Sequence, residues 1–149
     1  MIFVFGSNLE GIHGAGAALF AREKHGAILG KGEGLQGNSY ALPTCASPGV
    51  PLTLDAIKLH VDLFLNFSTT PIGSEYQYQV TRVGCGFAGY KDEQIAPMFI
   101  DAPDNVWLPS AWVRVLLMLT AQAKVEELTK AINEAKAVVL KQQEGDLDI

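Results

Sequence analysis

A glycine-rich segment near the amino terminus, residues 6–18, constrains the fold of this chain more than any other part of its sequence. It follows a short apolar run, residues 2–5, and precedes residues 19–25, whose composition predicts a helix. The order is therefore strand, glycine-rich loop, helix. Backbone N–H groups at the start of a helix have no partner within it, and small residues let an oxyanion approach them closely. The segment predicts an anion site against Gly14, Gly16, Ala17 and Ala18, and a tight turn that only packs a helix on a sheet is the alternative.

Composition narrows the class of protein that can carry such a site. Of the 149 residues, 48% are apolar and 18% are charged, as in an ordinary globular domain. The net charge of −5 argues against a general nucleic-acid binder, which needs a basic surface to displace phosphate counterions. Cys45 and Cys85 are too few for a metal motif or a disulfide framework, so we expect reduced thiols in a cytoplasmic protein. No run reads as a signal peptide or a membrane span, so no membrane partner is expected.

A second segment repeats the order of the first. Residues 76–83 alternate with a period of two, which predicts a strand, and lead into the glycine-rich residues 84–90 and a short helix over residues 92–99. Alternating strands and helices predict an open α/β sheet, which binds ligands beyond the carboxyl ends of its strands. Both loops leave such ends, so the economical ligand is a diphosphate nucleotide that bridges them.

The remaining segments complete the predicted α/β fold. Short strands are expected at residues 27–29 and 106–108, and a longer one over residues 38–43 that Pro43 ends. Residues 30–37 read as a flexible connection and residues 45–51 as a loop. A helix capped near Thr53 carries Leu54, Ile57, Val61, Phe64 and Leu65 at helical spacing, so it should cover one face of the sheet.

The carboxyl-terminal part, residues 110–149, contains neither glycine nor proline as far as residue 143 and predicts a long helix with a frayed acidic tail. Residues 112–119 are apolar nearly all round, which suits burial against the core, residues 1–109. Further on, apolar residues recur at steps of three and four: Val125, Leu128, Ile132, Ala135 and Val139. This seam fits either a helix that packs on its own domain or one that mediates a homo-oligomer.

The two loops together resemble a known family. The first carries Gly-Ser-Asn and then His13-Gly14-Ala15-Gly16-Ala17-Ala18-x-Phe20-Ala21, and the second carries Val83-Gly84-Cys85-Gly86-Phe87-Ala88-Gly89. This pattern resembles the macro domain, the ADP-ribose-binding fold, and within it the branch that removes ADP-ribose from terminal carboxylates. The likeness covers roughly residues 1–108, and the segment 34–44 is similar to that of bacterial and phage proteins.

The resemblance implies a three-layer α/β/α fold around a mixed sheet, with a helical extension at the carboxyl terminus. It also implies that Asn8 lies near the distal ribose, that the first loop wraps the diphosphate, and that Phe87 or Tyr90 covers a ribose or stacks on a base. No cofactor is implied. The residues expected to bind the ligand are Gly6, Ser7, Asn8, Gly14, Ala15, Gly16, Ala17 and Ala18 in the first loop and Gly84, Cys85, Gly86, Phe87, Ala88, Gly89 and Tyr90 in the second.

The sequence departs from the family where catalysis is concerned. The hydrolytic branch uses an acidic residue at the position that Ala88 occupies, and other macro-domain hydrolases carry an aspartate near the position of Ala18. Alanine can neither activate water nor form a covalent adduct. The remaining catalytic candidates are Asn8 and His13, which can orient water, although His13 equally suits a residue that orders the loop. Cys85 is either a thiol with a lowered pKa near a helix start or a small buried loop residue.

Three hypotheses follow from the sequence. The first is a protein that binds ADP-ribose or a related nucleotide, with hydrolysis at the distal ribose or a terminal phosphate left open. The second is a binding module without catalysis, which reads ADP-ribosylated protein or sequesters a nucleotide signal, for example an immune signal in a phage setting. The third is an assembly protein that acts through its carboxyl-terminal helix.

Overall fold

The computed structural model describes residues 1–147 and shows a mixed α/β fold with a six-stranded mixed sheet and, within those residues, four α-helices. The strands are β1 (Ile2–Asn8), β2 (Gly34–Gln36), β3 (Ser39–Ser47), β4 (Val50–Pro51), β5 (Tyr78–Val80) and β6 (Val106–Trp107). The helices are α1 (Gly16–Lys24), α2 (Leu54–Ser68), α3 (Asp92–Ile95) and α4 (Ser110–Leu147), with 3-10 turns at Gly73–Glu75 and Ala96–Phe99. The chain divides into two units, Met1–Val115 and the residues from Leu116 onward.

The sheet brings the ends of three strands to one edge. Its order is β2-β3-β1-β5-β6, with β4 paired to β3. Strand β1 lies in the middle and runs parallel to both β3 and β5, whereas β2 and β4 run antiparallel to β3. Because the central three strands are parallel, their carboxyl ends meet, and the segments that follow β1 and β5 are the two glycine-rich loops.

Alternate residues of the central strands divide between two apolar clusters. In β1, Ile2 and Val4 belong to the larger cluster and Phe5 to the smaller one, as expected for a strand buried on both sides. The larger cluster includes residues of α2 and α3 and also Trp112, and the smaller one includes Ala18 and Ala21 of α1. The helices that follow the glycine loops are therefore held by the same strands that lead into those loops.

Helix α2 matches its prediction closely. Thr53 is the N-cap, and its Oγ1 accepts a hydrogen bond from the N–H of Ala56 at 3.2 Å. The side chains of Ile57, Val61 and Phe64 are fully buried. The helical spacing read from the sequence therefore identified the buried face of this helix correctly.

Strand β3 is longer than predicted, and this corrects two expectations. Pro43 does not end the strand. It lies between the residues of β3 that pair with β2 and those that pair with β4, so its missing N–H costs no hydrogen bond on the edge of β3 that faces these two strands. Residues 45–51 are consequently not a loop, since β3 continues to Ser47 and turns into β4. The extension brings Cys45 of β3 beside Asn8, where β1 ends and the first glycine-rich loop continues.

Three further expectations were wrong in detail. Residues 27–29 do not form a strand, because the N–H of Ile28 donates to the side-chain carbonyl of Gln36 at 2.7 Å instead of to a strand. Part of the predicted flexible connection, Gly34–Gln36, is strand β2. The strand predicted over residues 76–83 is confined to Tyr78–Val80, because β1 pairs with only those three residues.

Helix α4 spans 38 residues, as its composition predicts. Trp112 is fully buried in the larger cluster, which agrees with the expected burial of the first turns. Leu117, Met118 and Leu119, in contrast, are 65%, 73% and 42% exposed, so the apolar run is not buried over its whole length. Over residues 1–147, none of the helices combines the length and the apolar character that crossing a lipid bilayer requires.

Candidate functional site

A cavity of about 460 Å³ lies where the carboxyl ends of β1, β3 and β5 meet. Both glycine-rich loops border it, as the strand–loop–helix order of each predicted. The lining residues are Gly6, Ser7, Asn8, Ile12, Gly14, Ala15, Gly16, Ala17, Ala18, Thr44, Cys45, Pro48, Gly49, Thr81, Arg82, Val83, Gly84, Gly86, Phe87 and Ala88. Ligand sites in proteins commonly occupy 300–1,000 Å³, so the cavity has room for a nucleotide-sized molecule.

The first loop is held in shape by Asn8. Its side-chain amide donates to the carbonyl of Ile12 at 2.8 Å, and its side-chain oxygen accepts from the N–H of Ile12 at 2.9 Å. Ser7 Oγ donates to the carbonyl of Gly32. Gly11 has a φ of +70°, and a Cβ there would lie 2.4 Å from the backbone of Gly30, so only glycine fits. These contacts fix the path of the chain from β1 to α1.

Helix α1 begins at the cavity with an uncapped amino terminus. Its N-cap residue is Ala15, no side chain caps it, and its first turn has no acidic residue. In the described part of the chain, no hydrogen-bond acceptor lies against the N–H groups of Gly16, Ala17 and Ala18. Helix α2 differs, since Thr53 caps it and Asp55 lies in its first turn. The first turn of α1 therefore has free N–H groups and a positive helix end beside the cavity.

The two loops touch through Gly16 and Phe87. Gly16 has a φ of +58°, and a Cβ added there would lie 2.9 Å from Cε2 of Phe87. The Phe87 side chain is nevertheless 71% exposed. Its ring thus lies at the rim of the cavity, against the start of α1 on one side and open to solvent on the other.

The second loop also has free donors. Gly84 has a φ of +79°, its carbonyl accepts from the N–H of Tyr90 at 2.9 Å, and the carbonyl of Gly86 accepts from the N–H of Gly89 at 3.0 Å. Within residues 1–147, the N–H groups of Gly86, Phe87 and Ala88 have no acceptor. The loop therefore closes on itself at its base and leaves donors at its tip, where a bound anion can accept from them.

Arg82 and Asp92 form the charged pair closest to the second loop. Nε and Nη2 of Arg82 each donate to a carboxylate oxygen of Asp92 at 2.8 Å, and Nε1 of Trp112 donates to the same carboxylate at 2.7 Å. The hydrogen bonds from Arg82 hold the pKa of Asp92 below its ordinary value of 3.8, and those from Trp112 and Cys85 act in the same direction. Asp92 is therefore an ionised anchor for the second loop.

Cys85 is a half-buried loop thiol and not an activated one. Its pKa is raised to about 11, with burial as the largest cause and the hydrogen bond to Asp92 and the negative charge of Asp92 acting in the same direction. Its Sγ donates to Asp92 Oδ1 at 3.5 Å. Of the two alternatives for Cys85, the lowered pKa is not met, because burial and the neighbouring carboxylate both raise the pKa.

His13 does not line the cavity. Its side chain is fully buried, Nε2 lies 3.1 Å from the carbonyl of Lys31, and the ring packs edge to face on Phe5 at 5.1 Å between centroids. A carbonyl can only accept, so Nε2 carries the proton, and Nδ1 has no partner among the described residues. The contacts are those of a residue that orders the first loop, and they leave His13 out of reach of a molecule in the cavity.

The second loop also contains predicted binding residues that do not line the cavity. They are Cys85, Gly89 and Tyr90. The hydroxyl of Tyr90 donates to the carbonyl of Leu52 at 2.5 Å, and its ring packs against the larger apolar cluster. Tyr90 thus supports the base of the loop, and Phe87 is the aromatic residue of this loop that borders the cavity.

The sequence did not point to the part of the lining that β3 and β5 contribute. It comprises Thr44 and Cys45 of β3, Pro48 and Gly49 of the turn after β3, and Thr81, Arg82 and Val83, which follow β5. These residues follow from the sheet order, since β3 and β5 flank β1 and end at the same edge. A prediction that carried β3 past Pro43 would have found Thr44 and Cys45.

The cavity lining is poor in groups that move protons. Among the described residues that line it, the ionisable side chains are Cys45 and Arg82, with neither a carboxylate nor an imidazole. Burial raises the pKa of Cys45, and the hydrogen bonds to Asp92 raise the pKa of Arg82, so both keep their protons at neutral pH. The lining is thus equipped to donate hydrogen bonds rather than to act as a general base.

Comparison of the chain with protein-family models, with curated proteins and with solved structures found no match.

Proposed function

We propose that this protein binds ADP-ribose or a closely related ADP-ribose-derived nucleotide in the cavity between its two glycine-rich loops. The proposal includes a three-layer, macro-domain-like arrangement of helices around the sheet and holds that the ligand is bound rather than broken. The motifs in residues 6–18 and 84–90 support the family, and the chemistry of the lining supports binding without catalysis.

The observation that carries the proposal is that two separate sets of free backbone N–H groups border one cavity. One set belongs to Gly16, Ala17 and Ala18 and the other to Gly86, Phe87 and Ala88. A diphosphate has two adjacent anionic groups, and one can accept from each set. Arg82, whose Nη1 makes no hydrogen bond to Asp92, adds a cationic donor at the same edge.

Binding without hydrolysis is favoured by the side chains near the ligand. Ala88 occupies the position at which the hydrolytic branch has an acidic residue, and His13 is buried with its Nε2 directed to a backbone carbonyl. The side-chain nitrogen and oxygen of Asn8 both form hydrogen bonds with the backbone of Ile12. Asn8 lines the cavity, but its neutral amide is not a base, and His13 is not among the lining residues, which supports binding without hydrolysis. A reader of ADP-ribosylated protein or a protein that sequesters a free nucleotide fits these contacts.

The experiment is calorimetric titration with ADP-ribose, followed by chromatography of the recovered ligand. We expect saturable heat and intact ADP-ribose after prolonged incubation. AMP and ribose 5-phosphate serve as controls, because each has only one phosphate and should bind more weakly. Equal affinity for AMP and ADP-ribose contradicts the use of both loops, and conversion of the ligand contradicts binding without catalysis.

A further inference from the structure

Helix α4 carries an exposed apolar stripe in the second unit, which begins at Leu116. None of the residues that line the proposed nucleotide cavity belongs to this stripe. Val125, Leu128, Ile132 and Val139 are 62%, 51%, 54% and 51% exposed. A single helix buries none of its own side chains, so a stripe of this kind is stabilised by a partner surface.

The stripe has the spacing of a coiled-coil seam over about three heptads. When Val125 is assigned to heptad position a, the seam extends from Met118 to Gln142, beyond the stretch from Val125 to Val139 that the apolar residues alone define. Positions a are Met118, Val125, Ile132 and Val139, and positions d are Ala121, Leu128, Ala135 and Gln142. None of these eight positions holds a charged residue, and Glu126, Glu127 and Glu134 all occupy positions b or c, which face away from a partner helix.

If two copies of the seam run in opposite directions, large side chains of one copy face small side chains of the other. With the point of reversal beside Lys130, Leu128 faces Ile132 and each small residue faces a larger one, as Ala135 does with Val125 and Ala121 with Val139. Facing layers of large and small side chains fill space evenly. We infer that α4 pairs with α4 of a second copy of this chain as an antiparallel, two-stranded coiled coil whose two-fold axis passes beside Lys130.

A parallel pair fits the same residues less well. In a parallel pair each residue of the seam meets its own copy, so Ala121 stacks on Ala121 and Ala135 on Ala135. These two layers then leave gaps on either side of the large central layers, and unfilled space in a core is destabilising. The flanking positions bring Lys124 beside Val138 and Lys136 beside Gln122 in the antiparallel pair, and beside Thr129 and Ala131 in a parallel one. Like charges therefore meet in neither arrangement, and the sizes of the facing layers decide the orientation.

Sedimentation equilibrium on the full chain tests the pairing, with two alanine-to-lysine variants as a matched pair. Ala135→Lys introduces a charge at position d, whereas Ala137→Lys introduces the same charge two residues away at the outward position f. We expect a dimer for the wild type and for Ala137→Lys at about 50 µM, and at least a tenfold larger dimer dissociation constant for Ala135→Lys. A monomeric or trimeric wild type, or equal behaviour of the two variants, overturns the inference.

The orientation is tested by the distance between two spin labels, one per chain. Lys141→Cys supplies the label in a chain that carries Cys45→Ala and Cys85→Ala, and circular dichroism verifies that its helix content is unchanged. In the antiparallel pair the labelled sites are separated by about 22 residues along the axis, or about 33 Å. In a parallel pair they lie at the same level, less than about 20 Å apart. The shorter distance overturns the antiparallel arrangement.

Discussion

A glutamate at position 17 tests whether the uncapped start of α1 binds a phosphate. Ala17 is exposed, is the second residue of α1 and lines the cavity. A carboxylate there stabilises the helix, because acidic residues in the first turn complement its dipole by about 0.3–1 kcal/mol. The same carboxylate lies about 5 Å from a phosphate on the neighbouring N–H groups, which costs about 1–3 kcal/mol for an effective dielectric constant between that of water and about 20. The variant Ala17→Glu should therefore keep its stability and lose affinity.

Because Ala17 is exposed, solvent screening puts the loss near the lower part of that range, at about tenfold in Kd for ADP-ribose. Titration calorimetry measures the affinity, and urea unfolding measures the stability. Ala56→Glu is the matched control, since it adds the same charge to the first turn of α2, three residues after the cap Thr53 and outside the cavity lining. An Ala17→Glu variant that binds as tightly as Ala56→Glu refutes the phosphate site at α1.

Two predictions concern Asp92 and its partners. Asp92→Asn removes the charged acceptor of Arg82 and Trp112, which should lower the free energy of unfolding by about 1–2 kcal/mol at pH 7. The pKa of Asp92 is lowered on folding, so its contribution is present above about pH 4 and is lost as the pH falls through the folded value. Unfolding free energy should therefore fall less steeply below pH 4 in Asp92→Asn than in the wild type, and parallel curves contradict this. In a Cys45→Ala chain, Cys85 should react with iodoacetamide about 100-fold more slowly at pH 8 than a free thiol of pKa 9.0, and a rate within a few-fold of the free thiol contradicts the raised pKa.

Local sequence patterns predicted the elements that hold the site. The apolar run of residues 2–5 and the glycines that follow it predicted β1, the first loop and α1 in the right order, because each signal lies within a few residues. The cap at Thr53 and the spacing of Ile57, Val61 and Phe64 likewise predicted α2 and its buried face. That both loops border one cavity followed from the rule for parallel strands.

What the sequence did not reveal depends on contacts between distant residues. In the sequence, Pro43 indicates the end of a strand. It is tolerated inside β3 because it lies between the residues that pair with β2 and those that pair with β4, which only the sheet pairing shows. For His13 the sequence left two roles open, a base at the ligand and a residue that orders the loop, and its contacts with Lys31 and Phe5 favour the second. The pKa of Cys85 likewise depends on burial and on Asp92, seven residues away, so its glycine neighbours alone could not give the direction of the shift.

The most direct test of the proposed nucleotide site is an amide-resolved NMR titration of the 16.0 kDa protein with ADP-ribose. If the two loops share the diphosphate, the largest and saturable shifts fall on the N–H groups of Gly16, Ala17 and Ala18 and of Gly86, Phe87 and Ala88, with one common Kd. Shifts confined to one loop, shifts elsewhere in the chain, or an unchanged spectrum at millimolar ADP-ribose contradict the proposal that these loops form one nucleotide site.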